Sequence, residues 1–338
     1  MNKRDLLTKV FNNQKAERVP VGFWFHFTEN EILDGFKNPE MFQANIEGEK
    51  KFYEEFQPDF IKIMTDGFFM YPREAFTNAQ SISHLKKLDP IGESHPWIEK
   101  QVEYAKKLTS LFGAELFSFY NIFAPATLFR FGHYNHNKDQ DADSLLADLI
   151  LEDAGTVARA FDIVAQDTAC LAKRVIQEAK VSGIYYSTQD PHDTRINEQA
   201  RKALFVPGDM TILSAANTVS QYNILHICGY AGYKNNLSHF VDYPASIINW
   251  ASHVEKISLS EGKKLFKGKP VIGGFANTAD ALLYTGSKAE IEAETERLIK
   301  EAGSTGLVLG ADCTVPKDID IRHLEWVREK AARIGADF

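Results

Sequence analysis

Cysteine is scarce in this chain, with three residues in 338. So few thiols exclude a disulfide framework and fit a reducing compartment. No apolar run approaches the roughly 20 residues that a membrane-spanning helix needs. The first ten residues are polar and helical in pattern, without the apolar stretch of a signal peptide, so the expected location is the cytoplasm. Lys and Arg are scattered, and the net charge of -8 argues against binding the phosphates of nucleic acid. No Gly-rich dinucleotide fingerprint and no P-loop occurs. Nor does a Pro/Ser-rich linker divide the chain, so one domain over residues 1–338 is expected.

What is present is a regular alternation of short apolar runs and helical segments. The runs are Val19–Phe25, Phe60–Thr65, Glu115–Asn121, Gly183–Ser187, Asn223–Cys228, Ser246–Trp250, Pro270–Phe275 and Gly306–Gly310. Most are continuously apolar, as parallel strands buried on both faces are. Ser287–Lys300 is the clearest helix, with a serine cap, early acids and late bases. The segment from Ile319 to Phe338 reads as a closing helix. Eight strand–helix units in this length predict an α/β fold, a single (β/α)₈ TIM barrel, over a doubly wound open sheet.

Catalytic groups of such a barrel lie just past the C-terminal ends of its strands. Two of the three cysteines fall there, in His226-Ile-Cys228 and in Gly310-Ala-Asp-Cys313. A spacing of two on a strand puts His226 and Cys228 on one face. One imidazole and two thiols form a soft three-ligand set that suits zinc and leaves a fourth position for water or substrate. Cys170 sits in a helical pattern and reads as a packing residue.

In order along the chain, Arg18-Val-Pro-Val21, Asp59-Phe-Ile-Lys-Ile-Met-Thr-Asp66, Ala124-Pro-Ala-Thr-Leu128, His226-Ile-Cys-Gly229, Val271-Ile-Gly-Gly274 and Leu309-Gly-Ala-Asp-Cys-Thr-Val-Pro316 resemble the uroporphyrinogen decarboxylase superfamily. That superfamily includes the decarboxylase and the zinc-dependent corrinoid:coenzyme M methyltransferases. The resemblance implies a methyl transfer between a corrinoid, carried by a partner protein, and a thiol, with zinc held by His226, Cys228 and Cys313. It also implies a homodimer. The decarboxylase arginine loop is replaced by Phe23-Trp-Phe-His-Phe-Thr-Glu-Asn30, which has no arginine to clamp a polycarboxylate. The decarboxylase aspartate falls on Asp66, its tyrosine on Phe131, and its last histidine near Ala311 and Asp312. The glutamate ligand of related zinc methyltransferases is missing from Ile247–His253, where Asn249 stands; water, His253 or substrate is left for the fourth position.

Asp66 and Asp312 are therefore the candidate catalytic groups, and Trp24, His26, Arg130, Phe131 and Asn249 the candidate substrate contacts. Each has a plainer reading. His226 and the cysteines suit a buried core, and Asp66 suits a turn cap before Gly67. Asp312 either orients a metal ligand or bonds its own loop. His26 with Trp24 either lines the pocket or forms an aromatic cluster, and Arg130 either binds a carboxylate or pairs within its loop. The alternative activity is metal-independent decarboxylation of uroporphyrinogen or another carboxylated substrate. A third reading is a corrinoid or tetrapyrrole carrier without chemistry.

Overall fold

A computed structural model of the chain describes residues 2–136 and 141–335. Seven strands form one parallel sheet in chain order: β1 (Phe60–Ile63), β2 (Phe117–Phe123), β3 (Gly183–Thr188), β4 (Ile224–Ile227), β5 (Ile247–Trp250), β6 (Val271–Phe275) and β7 (Leu307–Ala311). Each coincides with an expected run to within a few residues. Helices connect successive strands, as parallel pairing requires. The helix Lys288–Ala302 carries the expected Ser287 cap, closed as a capping box by Glu290. The final helix spans Ile321–Gly335.

The first expected strand, Val19–Phe25, is not among the seven. It lies between β7 and β1 but forms only one parallel bridge, from Val21 to Leu309. The reason lies in its partners. Toward β7, Gly22 N donates to Leu309 O at 3.0 Å and Leu309 N to Pro20 O at 2.9 Å. Pro20 has no N–H to add. Toward β1, Asp59 N reaches Val21 O, yet Val21 N donates to the Asp59 carboxylate at 2.8 Å instead of a main-chain carbonyl. Arg18 grips that carboxylate with both guanidinium nitrogens, at 2.7 and 2.6 Å. Further along, Phe27 N donates to the carboxylate of Asp66 at 3.2 Å. Toward β1, side chains thus take the place of most of a ladder. Gly22 permits the approach, because a Cβ there would come within 2.3 Å of the Phe60 ring.

The period of two along each strand sorts the core. Ile61, Ile63, Ile184, Tyr186, Leu225 and Leu309 face out and pack under the helices. Phe60, Phe119, Tyr185, Ile224, Ile247 and Val308 face in and pack with Trp24 into an apolar floor. Burying each such side chain contributes about 1.5–3 kcal/mol. The same inward parity continued along the strands gives Lys62, Asn121, Ser187, His226 and Asn249. A polar layer therefore lies directly above the apolar one, toward the strands' C-terminal ends.

Candidate metal centre

His226 projects inward from β4 and is almost fully buried. Cys228 lies just past that strand, with its amide continuing the ladder to Thr188 O at 2.9 Å. Asp312 N does the same for β7 by bonding Phe275 O at 2.8 Å, and this fixes where Cys313 follows. The two sulfurs lie 3.9 Å apart, and Cys313 Sγ lies 3.5 Å from His226 Nε2. All three donor atoms fall within 4.8 Å of one another. Tetrahedral zinc, with bonds of about 2.3 Å to sulfur and 2.0–2.1 Å to nitrogen, sets such pairs roughly 3.8 Å and 3.6 Å apart. The donor set fits the ion in chemistry, and these two pairs fit it in spacing.

Asn249 on β5 orients the histidine. Its Nδ2 donates to Ile272 O at 2.8 Å and to Ala311 O at 3.3 Å, so its Oδ1 must face His226. That oxygen accepts from His226 Nδ1 and from Tyr185 Oη, the latter at 2.7 Å. With the proton on Nδ1, the Nε2 lone pair points toward Cys313. The thiols are unequal. The contact with Cys228 holds Cys313 well below the usual thiol range, against the effect of burial and with help from His226. The same contact, together with burial, raises Cys228.

The trio lines a pocket of about 410 Å³. Asp66, just past β1, lines it too and accepts from His26 Nδ1 at 2.9 Å. Burial works against the charged imidazole, but the hydrogen bond and charge of Asp66 outweigh it and raise the His26 pKa. Phe131 forms part of the wall with Phe69, Phe123 and Tyr230.

His26, Asp66, Phe131, His226, Cys228 and Cys313 are therefore brought to one pocket, with Asn249 directly behind them. Three expected residues are not. Trp24 is buried in the floor against Phe60 and Tyr185. Arg130 pairs with Asp143 at 2.9 Å and donates to Gln189 at 2.8 Å, beside a neighbouring groove. The Asp312 carboxylate accepts from Ser252 Oγ at 2.7 Å and from N and Nδ1 of His253, both at 2.9 Å. That bond also occupies His253, which is half exposed and stands apart from the donor cluster. Sequence reasoning passed over Lys62, which is buried on the pocket wall. Its signal was a lysine at inward parity within an apolar strand.

Residues 61–334 match the uroporphyrinogen decarboxylase (URO-D) family. The chain belongs to the uroporphyrinogen decarboxylase family. No curated protein sequence matches it. Among solved structures, it resembles a methyltransferase from Methanosarcina mazei with a TM-score of 0.69 and 14% identity, over 99% of each chain. It also resembles a B12-independent methionine synthase from Shewanella sp. W3-18-1, solved in complex with selenomethionine. There the TM-score is 0.55 and the identity 12%, over 94% of this chain and 97% of the other. At these identities the likeness establishes a shared fold. Among the described residues, no helix is long and apolar enough to cross a membrane.

Proposed function

We propose that this member of the uroporphyrinogen decarboxylase family is a zinc-dependent methyltransferase, working between a corrinoid on a partner protein and a small thiol. In this reading the whole chain is one closed (β/α)₈ barrel, with residues 19–25 as the eighth stave. The observation that carries the reading is the convergence of His226, Cys228 and Cys313, within 4.8 Å, on the wall of a pocket. Zinc held there supplies a Lewis acid that favours the thiolate form of an acceptor at neutral pH. The residues divide the remaining work. Asn249 keeps the His226 lone pair aimed at the ligand set. The His26–Asp66 pair takes up the proton that the thiol gives up. Phe69, Phe123, Phe131 and Tyr230 exclude water from the reacting end.

Decarboxylation of a tetrapyrrole is the poorer fit. Lys62 is the one Lys or Arg among the described residues lining the pocket. A many-carboxylate substrate needs several charge-assisted partners. The test is metal content of protein purified without chelator or added metal, beside Cys228→Ser and Cys313→Ala. About one zinc per chain, lost in both variants, is expected. Full metal content in Cys313→Ala removes the metal site, and no metal in any of the three returns the trio to the core.

A further inference from the structure

Cys228 stands where the ladder of the sheet stops. Its amide still bonds Thr188 O at 2.9 Å, but its carbonyl accepts from a side chain, Asn235 Nδ2, also at 2.9 Å. Between the two, residues 230–234 are exposed. Exposed loop residues bring few buried contacts, so the hold on Cys228 from this side comes from the ends of the loop. At the near end Gly229 packs against Ala251 with no room for a Cβ, a contact that limits approach but sets no direction. Direction comes from the far end, at Asn235.

Asn235 spends its whole carboxamide there. Its Nδ2 also donates to Glu255 Oε1 at 2.8 Å, and its Oδ1 accepts from Asp190 N at 2.8 Å. Its own amide donates to the Glu255 carboxylate, at 2.9 and 3.1 Å. Two side-chain N–H groups and one oxygen are thus each matched to a partner of the right kind. The flipped carboxamide would set N–H against N–H and oxygen against two acceptors, so its orientation follows from its partners. The anchors are themselves held. Glu255 is 8% exposed, at the end of the short helix Ser252–Glu255, and the Asp190 carboxylate accepts from Arg201 Nε at 2.6 Å. One carboxamide therefore ties together the segments that follow β3, β4 and β5.

We propose that Asn235 is the positioning residue of Cys228: by holding the Cys228 carbonyl it sets that peptide plane, and with it the direction in which the sulfur faces Cys313 and His226. Asn249 does the corresponding work for His226. The positioning claim rests on the hydrogen bonds of Asn235 alone; its consequence for a metal rests on the zinc reading. Asn235→Ala removes the hold. Asn235→Asp keeps the size and the oxygen for Asp190 N, but it sets a carboxylate against Cys228 O and Glu255, where like charges and lone pairs repel. Either change frees the Cys228 peptide to turn.

The experiment is alkylation of the full-length protein by iodoacetamide with a chelator present, the rate at each cysteine being followed by mass spectrometry. Cys170, in the helix Ala142–Ala179, reports general loosening. In Asn235→Ala and Asn235→Asp, Cys228 is expected to react several times faster than in wild type, with Cys170 unchanged. With zinc present, competition with a chromophoric chelator is expected to show a roughly 10–100-fold loss of affinity in both variants. Unchanged reactivity of Cys228 overturns the proposal. So does an equal rise at Cys228 and Cys170, which would mark Asn235 as a support of the fold only. Faster alkylation of Cys228 alone, in a protein that binds no zinc, upholds the positioning role and removes the metal reading. Should neither variant fold, hydrogen exchange of wild type decides. The amides of Asp190 and Asn235 are expected to be protected beside that of exposed Lys234, and exchange of Asn235 as fast as Lys234 overturns the proposal.

Discussion

The side-chain oxygen of Asn249 accepts the Nδ1 proton of His226, while its amide nitrogen is held by the carbonyls of Ile272 and Ala311. The tautomer of the histidine is thus dictated from one strand away. Asn249→Leu leaves His226 and Tyr185 without their acceptor and frees the ring to turn. Metal affinity is expected to fall by roughly 10–100-fold, the usual effect of losing such a partner. Competition with a chromophoric chelator measures it. Unchanged affinity would show that the ligand set holds its own orientation.

Glu49 lies in the helix Pro39–Phe56, almost fully buried, and accepts from Met64 N at 2.9 Å. Burial pushes its carboxyl up to about 8, against the hydrogen bond from Met64. Between the unfolded value of 4.5 and about 8, the folded chain keeps a proton that the unfolded chain has released. The unfolded state binds fewer protons in that window, so stability falls as pH rises. Glu49→Gln keeps the acceptor oxygen and cannot ionise. Urea titrations near pH 5 and pH 8 are expected to show a smaller decline in Glu49→Gln than in wild type. Equal declines would rule Glu49 out as a source of the pH dependence.

The pairing of His26 with Asp66 has the opposite charge logic. The folded pKa of His26 is raised above 6.5. Its contribution to stability is full below that value and is lost as pH rises through the folded value. A two-dimensional NMR titration should place His26 above 6.5 in wild type and lower in Asp66→Asn. A His26 midpoint that ignores the substitution would mean that the two groups do not interact in solution.

Asp312 separates a structural role from a chemical one. It holds Ser252 and His253 at the start of the short helix Ser252–Glu255, so Asp312→Ala strips three hydrogen bonds from the loop after β5. A loss of roughly 1–3 kcal/mol is expected from the donors left unpaired. Zinc content should stay at the wild-type level. Loss of metal together with stability would assign Asp312 to the ligand set's support.

The strands were legible because their apolar runs are short, bounded and evenly spaced. His226 and Cys228 were legible because a spacing of two has only one meaning on a strand. The bonding of Val19–Phe25 was not, since an apolar run is equally consistent with a ladder and with a stave held by two aspartates. Trp24 and His26 are two residues apart, yet one packs into the floor and the other reaches the pocket. Nothing in the composition of that run distinguishes them; Trp24 sits at the level of the apolar floor and His26 beside Asp66 at the pocket. Arg130 and Asp312 were expected at the mouth because loop position follows from strand order. Their partners, Asp143 and His253, come from other segments and were invisible to local pattern. Lys62 was hidden by its neighbours, whose apolar character made the run read as core.

A main-chain ladder is blind to side-chain identity and therefore drifts little as a sequence evolves. The seam between β7 and β1 is different, because Asp59 and Asp66 supply acceptors that a neighbouring strand would otherwise provide. The segment before β1 is held there by these two carboxylates as well as by main-chain bonds. Substitution at either one can widen or re-aim the wall that carries His26, while the other six strand pairings stay as they are. A lineage can thus refit the pocket to a new substrate at the seam without rebuilding the scaffold.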